Sequence, residues 1–128
     1  MSQTTTQILL PQTVYAIGPN AAPYTVTGEK RPAAAYYLGN KDLQTVNINT
    51  ATLSGNVVIE ASLATSPTED DWFDVYQLTA NANATNNSAP KLASTTSVGV
   101  NIEGNFVWVR AKIEDFSGGA VQYVKVSY

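Results

Sequence analysis

The densest group of chemically capable side chains is Glu69-Asp70-Asp71 followed by Asp74. Several carboxylate oxygens so close together are what a hard cation such as calcium takes as ligands. The run lacks the Asp-x-Asp-x-Asp-Gly order of a loop that wraps an ion. It also follows Ser66-Pro67-Thr68, and acids after such a cap favour a short helical turn, here just before Trp72. The expectation is therefore a turn and no metal site. Catalysis has few other sources. The chain has no cysteine and no histidine, which removes thiol nucleophiles, Ser-His pairs and Cys/His zinc sites together. Ten acidic residues leave a carboxylate pair for glycoside hydrolysis, but two must be held across a cleft. No catalytic and no cofactor-binding residue is nominated, and the chain is expected not to be an enzyme.

Binding chemistry has more material. Tyr36, Tyr37, Trp72, Tyr76, Trp108 and Tyr123 could supply a platform for sugar rings. Each tryptophan, however, sits in an alternating stretch beside aliphatic neighbours, so both are expected in the core. Asn83-Ala84-Thr85 and Asn86-Asn87-Ser88 match the glycosylation pattern, but in a tract this rich in Asn and Thr they read as chance matches. Charged residues make up 13% of the chain, with net charge −3 and only seven Lys and Arg. That is about half the usual charged share, so the surface is covered by neutral polar side chains suited to contact with other proteins. Scattered basic residues give no footprint for phosphate backbones or anionic lipid, and neither nucleic acid nor a membrane is expected as partner. Met1 to Gln7 lacks the basic start of a secretion signal, and Ile8-Leu9-Leu10 is too short for a targeting core or a span.

The elements that would position these groups are strands. From Phe106 to Ile113, Val107, Val109, Ala111 and Ile113 fall on one face and Phe106, Trp108, Arg110 and Lys112 on the other. Asp115, Ser117, Gly118 and Gly119 then read as a turn, with Val121 to Tyr128 returning as the second strand of a hairpin, Val124, Val126 and Tyr128 inward. Leu43 to Ile48 reads as a separate strand. After it, Val57, Ile59, Ala61 and Leu63 alternate with Val58, Glu60 and Ser62. Trp72 to Leu78 and the alternating Val98, Val100 and Ile102 add two more, separated by the low-complexity tract from Thr79 to Ser97. Seven to nine short strands predict an all-β protein, an antiparallel β-sandwich of jelly-roll type, occupying 36–128 as one domain.

Residues 1–35 contain prolines 11, 19, 23 and 32 and read as an extended N-terminal arm with short strands at Gln7 to Leu10, Thr13 to Ile17 and Tyr24 to Thr27. Such an arm either docks on its own domain as an edge strand or orders on a neighbour. Ile8, Leu9, Leu10, Val14, Tyr15 and Ile17 are more apolar than a free tail should be. They are the candidate interface residues, gaining main-chain bonds by strand addition.

Leu53-Ser54-Gly55-Asn56-Val57-Val58-Ile59-Glu60-Ala61-Ser62-Leu63, Asp71-Trp72-Phe73-Asp74-Val75, Gly104-Asn105-Phe106-Val107-Trp108-Val109-Arg110-Ala111 and Gly119 to Tyr128 together resemble small virion structural proteins of tailed bacteriophages, notably contractile-tailed cyanophages. The resemblance covers Leu53 to Tyr128 and specifies strands and turns rather than chemistry. It implies a non-enzymatic virion protein assembled in the host cytoplasm, with a capsid decoration or cement role favoured. A neck, tail, baseplate or fibre component is one alternative and a carbohydrate-binding adhesion module another. Implied partners are other virion proteins, the major capsid protein first, and further copies of the chain. Closed rings suit symmetric shells, which favours a trimer by analogy.

Overall fold

The computed structural model describes residues 6–15, 24–37, 42–81 and 95–128. In order these form β1 (Thr6–Leu10), β2 (Thr13–Val14), β3 (Tyr24–Thr27), β4 (Arg31–Pro32), a single helical turn α1 (Ala34–Tyr37), β5 (Leu43–Ser62), a 3-10 turn (Glu69–Asp71), β6 (Trp72–Asn81), β7 (Thr95–Glu103) and β8 (Trp108–Ser127). The all-β, antiparallel expectation holds. The described strands belong to one hydrogen-bonded sheet that curls on itself, with β1, β8, β5 and β6 as its main path.

β5 and β8 organise the sheet. Each has 20 residues, and a straight strand of that length would run roughly 65 Å, far beyond a domain whose radius of gyration should be about 14 Å. Both must bend, and they bend together. The β5–β8 register shifts between Asn49 and Thr50, Ala51 and Ser54, and Ser54 and Asn56. Thr52 (φ 48°), Asp115 (φ 52°) and Gly119 (φ 74°) take left-handed backbone in the same short region. Extra residues in a ladder bend the strand and sharpen its twist.

This corrects two expectations. Residues 115–119 do not reverse the chain into a hairpin, because β8 stays paired to β5 on both sides of them, Asn56 with Glu114 and Ala51 with Ala120. The turn-forming residues kink one strand instead. Likewise Leu43 to Ile48 and the stretch from Leu53 are one strand, not two. The bend divides the sheet into a first half, β7 beside residues 43–51 of β5 and 120–127 of β8, and a second half, β6 beside residues 54–62 and 108–118. Val46, Ile48, Val124 and Val126 of the first half share one apolar cluster with Val57, Ile59, Ala61, Val109, Ala111 and Ile113 of the second. The two faces that a sandwich draws from separate sheets are here halves of the same sheet.

The described parts of the N-terminal segment lie on this chain's own β8. β1 and β2 pair with its residues 120–127, in the first half of the sheet, and β3 and β4 with its residues 108–116, in the second. The sheet's curl brings β1 beside β4, and side chains stitch them. Arg31 Nε donates to the Ile8 carbonyl (3.0 Å), and both Gln7 Nε2 and Tyr128 Oη donate to the Pro32 carbonyl (2.8 Å each). Gly28, just after β3, lies against both β8 and β1. Gly28 N donates to Ala111 O at 2.8 Å, and any Cβ on Gly28 would overlap the Leu9 carbonyl oxygen.

Candidate functional site

Two places on this framework combine exposure, charge or concavity. The first is the outer face of the second half. Glu60 in β5 lies opposite Arg110 in β8 and Asp74 in β6. Alternation sends Val57, Ile59 and Ala61 into the core, so Glu60 must leave on the other side. It is nevertheless buried, 5% exposed, because cations cover it. Arg110 Nε meets Glu60 Oε1 at 2.7 Å and Lys112 Nζ meets Oε2 at 3.1 Å. Arg110 also reaches Glu69 (3.2 Å) and lies 4.2 Å from the Trp72 ring centre, while Lys112 reaches Glu114 (3.0 Å).

Burial pushes the Glu60 carboxyl up, but hydrogen bonds and charge from Arg110 and Lys112 outweigh it, leaving the pKa below the ordinary value of 4.5. Burial likewise pulls Arg110 and Lys112 down while their carboxylate partners carry both above their usual ranges. Each group is thus fixed in its charged form. A general acid needs the opposite, a carboxyl raised towards the working pH. The cluster is a compensated ion-pair network that welds β5, β8 and the turn before β6.

The acidic run forms that turn. Asp71 Oδ2 accepts from Thr68 N (2.8 Å) and Thr68 Oγ1 (3.1 Å), and Asp71 N donates to Thr68 O (3.0 Å). Glu69 is committed to Arg110. Among the described residues no group of three metal-ligating side chains converges.

The tryptophans are corrected from core to outer surface. Trp108 stands in the Arg110 and Lys112 alternation, half-buried. Its Nε1 donates to Thr65 O at 3.0 Å, Tyr36 packs at 4.9 Å between ring centres, and Lys30 Nζ lies 4.9 Å from the indole. Trp72 is half-buried beneath Arg110. Phe106 takes the inward place expected of Val107. β8 begins only at Trp108, and Phe106 N turns back to Gly104 O at 2.9 Å, so the alternation does not extend to it. Tyr76 packs against the core, and Tyr123 lies beside Lys125. The Tyr37 side chain and both glycosylation patterns lie outside the described residues.

The second place is the N-terminal edge. Of the candidate interface residues, Leu9 and Leu10 point inward, 1% and 2% exposed. Tyr15 stacks on Tyr24 and meets Phe116 edge-on, both at 5.5 Å. Ile8 (43% exposed) and Val14 (60%) face solvent, and Ile17 lies outside the described residues. Between β1 and β3 runs a groove of about 300 Å³ whose lining includes Ile8, Leu10, Val26, Thr27, Glu29 and Arg31. Sequence reasoning had the β1 residues but not their companions on β3, since pairing of both strands to β8 carries no local signal.

Compared with known proteins, the chain matches no family model and no curated sequence at a significant level.

Proposed function

We propose that this chain is a non-enzymatic structural protein of a bacteriophage particle, a decoration or cement protein that seats on the capsid shell. The resemblance of its strand and turn motifs to virion proteins supports the phage setting. The observation that carries the contact role is the N-terminal edge, where Ile8 and Val14 stand exposed and Ile8 lines a groove of mixed apolar, threonine and charged side chains. That edge is already hydrogen-bonded to β8 through β1 and β2, so little order has to be gained there on docking. A largely neutral polar surface leaves contact to shape and apolar area rather than to charge. Mass spectrometry of purified particles of the encoding phage tests the reading: peptides of this chain at the copy level of structural proteins support it, and their absence overturns it.

A second reading, a carbohydrate-binding module on a fibre, draws on Tyr36, 45% exposed and packed on Trp108. A glycan array discriminates the two. Saturable binding that is lost in Tyr36→Ala favours the module.

A further inference from the structure

The two margins of the second half carry opposite charge. On one side, the turn before β6 and β6 itself present Asp70, Asp71 and Asp74, all exposed, around Phe73. None of these three aspartates forms an ion pair among the described residues. β6 pairs with β5, and no other described strand joins it. On the other side stand Lys30, exposed and 4.9 Å from the Trp108 ring centre, and Arg31, its side chain 42% exposed, whose Nε donates to the Ile8 carbonyl and whose ion pair with the exposed Glu29 is long at 3.6 Å.

These margins are at the same height. Phe73 lies opposite Ala61, Ala61 opposite Val109, and Val109 opposite Arg31. One step along, Asp74 lies opposite Glu60 and Glu60 opposite Arg110, in the row next to the one that ends at Arg31, the residue after Lys30. The row is four strands wide, about 14 Å. Every neighbouring pair is antiparallel, so β4 and β6 run in opposite directions. A second copy placed alongside by rotation about an axis parallel to the strands therefore offers its basic margin to the first copy's acidic margin with the strands antiparallel.

We propose that copies of this chain associate head to tail, with Asp70, Asp71 and Asp74 of one copy against Lys30 and Arg31 of the next. The contact is made by side chains and does not extend the sheet. Pro32 has no N–H to offer, and its carbonyl is already taken by Gln7 and Tyr128. A proline and an occupied carbonyl on an edge are devices against unlimited strand addition. The contact joins two different patches, so it repeats around a ring rather than stopping at a two-fold dimer. It does not depend on the phage reading, since it is a property of the purified chain.

The test is sedimentation of the full chain. The wild type is expected to form an oligomer that dissociates as salt is raised to about 1 M, where screening acts within about 3 Å. Asp70→Lys with Asp74→Lys, and separately Lys30→Glu with Arg31→Gln, should each sediment as monomers. A mixture of the two variants should associate, because each keeps the margin that the other has lost. Thermal unfolding checks that both variants fold; if either does not, Asp70→Asn with Asp74→Asn, or Lys30→Gln alone, replaces it and should weaken association. A wild type that stays monomeric at its highest soluble concentration overturns the proposal. So does an oligomer that neither variant weakens, or a pair of monomeric variants that fail to associate when mixed.

Discussion

Gly119 in β8 sits directly against Thr52 in β5, at the point where both strands bend, and a side chain on Gly119 would overlap the Thr52 carbonyl. Both residues have left-handed backbone. Thr52 pays for its conformation, since a β-branched residue at positive φ is an outlier, whereas Gly119 does not. Gly119→Ala adds left-handed strain of roughly 1–2 kcal/mol to that overlap, so a loss of more than about 2 kcal/mol is expected in urea unfolding. Thr52→Gly relieves strain of the same kind and should stabilise by up to about 1 kcal/mol after the entropy of an added glycine. Equal, small effects of both changes would show that the bend does not depend on this pair.

Glu60 provides a pH signature. Its folded pKa is depressed, so its contribution is fully present above the ordinary value of 4.5 and is lost as pH falls through the lower folded value. Unfolding free energy should therefore decline on acidification below about pH 4.5. Glu60→Gln should flatten that decline. At pH 7 the same variant should cost about 2–4 kcal/mol, because Arg110 and Lys112 lose a shared, largely buried carboxylate.

The expectation from sequence was close at the level of faces and poor at the level of pairing. Val109, Ala111 and Ile113 point inward and Arg110 and Lys112 outward, as a period of two requires. The same period placed Trp108 with Arg110, and the general tendency of tryptophan to be buried was the wrong reason to override it. The kink was illegible for a different reason. Asp115, Ser117, Gly118 and Gly119 serve a bulge as well as a turn, and only the pairing of Ser54 with Gly118 decides between them. The network around Glu60 was half visible. Glu60, Arg110 and Lys112 were assigned to outward faces, but register between strands 50 residues apart has no local code.

Leu9 and Ile8 separate folding from contact at the N-terminal edge. Leu9→Ala should cost about 2–5 kcal/mol, as for other fully buried leucines. Ile8→Asp with Val14→Asp should leave thermal unfolding nearly unchanged, since both side chains are exposed, while abolishing attachment to particles. Removal of residues 1–10 should unfold the domain, because it strips Leu9 and Leu10 from the core and uncovers the Val124 to Ser127 edge.

Trp108→Ala should cost about 1–3 kcal/mol and leave a folded protein. The ring is half-buried and loses one hydrogen bond and its Tyr36 contact, rather than a place in the core. Phe116, fully buried against Tyr15 and Tyr24, is the contrast, and Phe116→Ala should cost about 3–5 kcal/mol. Both are read by urea unfolding, and the reverse order would return Trp108 to the core.

Reconstitution tests most directly the proposed attachment of this chain to the shell of a phage particle. Purified, fluorescently labelled protein is added to particles of the encoding phage from which its gene has been deleted, and bound copies per particle are measured together with the temperature of genome release. Saturable binding at many symmetric shell positions, a raised release temperature, and loss of both with Ile8→Asp and Val14→Asp are the predicted result. No binding, or binding confined to the tail with release temperature unchanged, would contradict it.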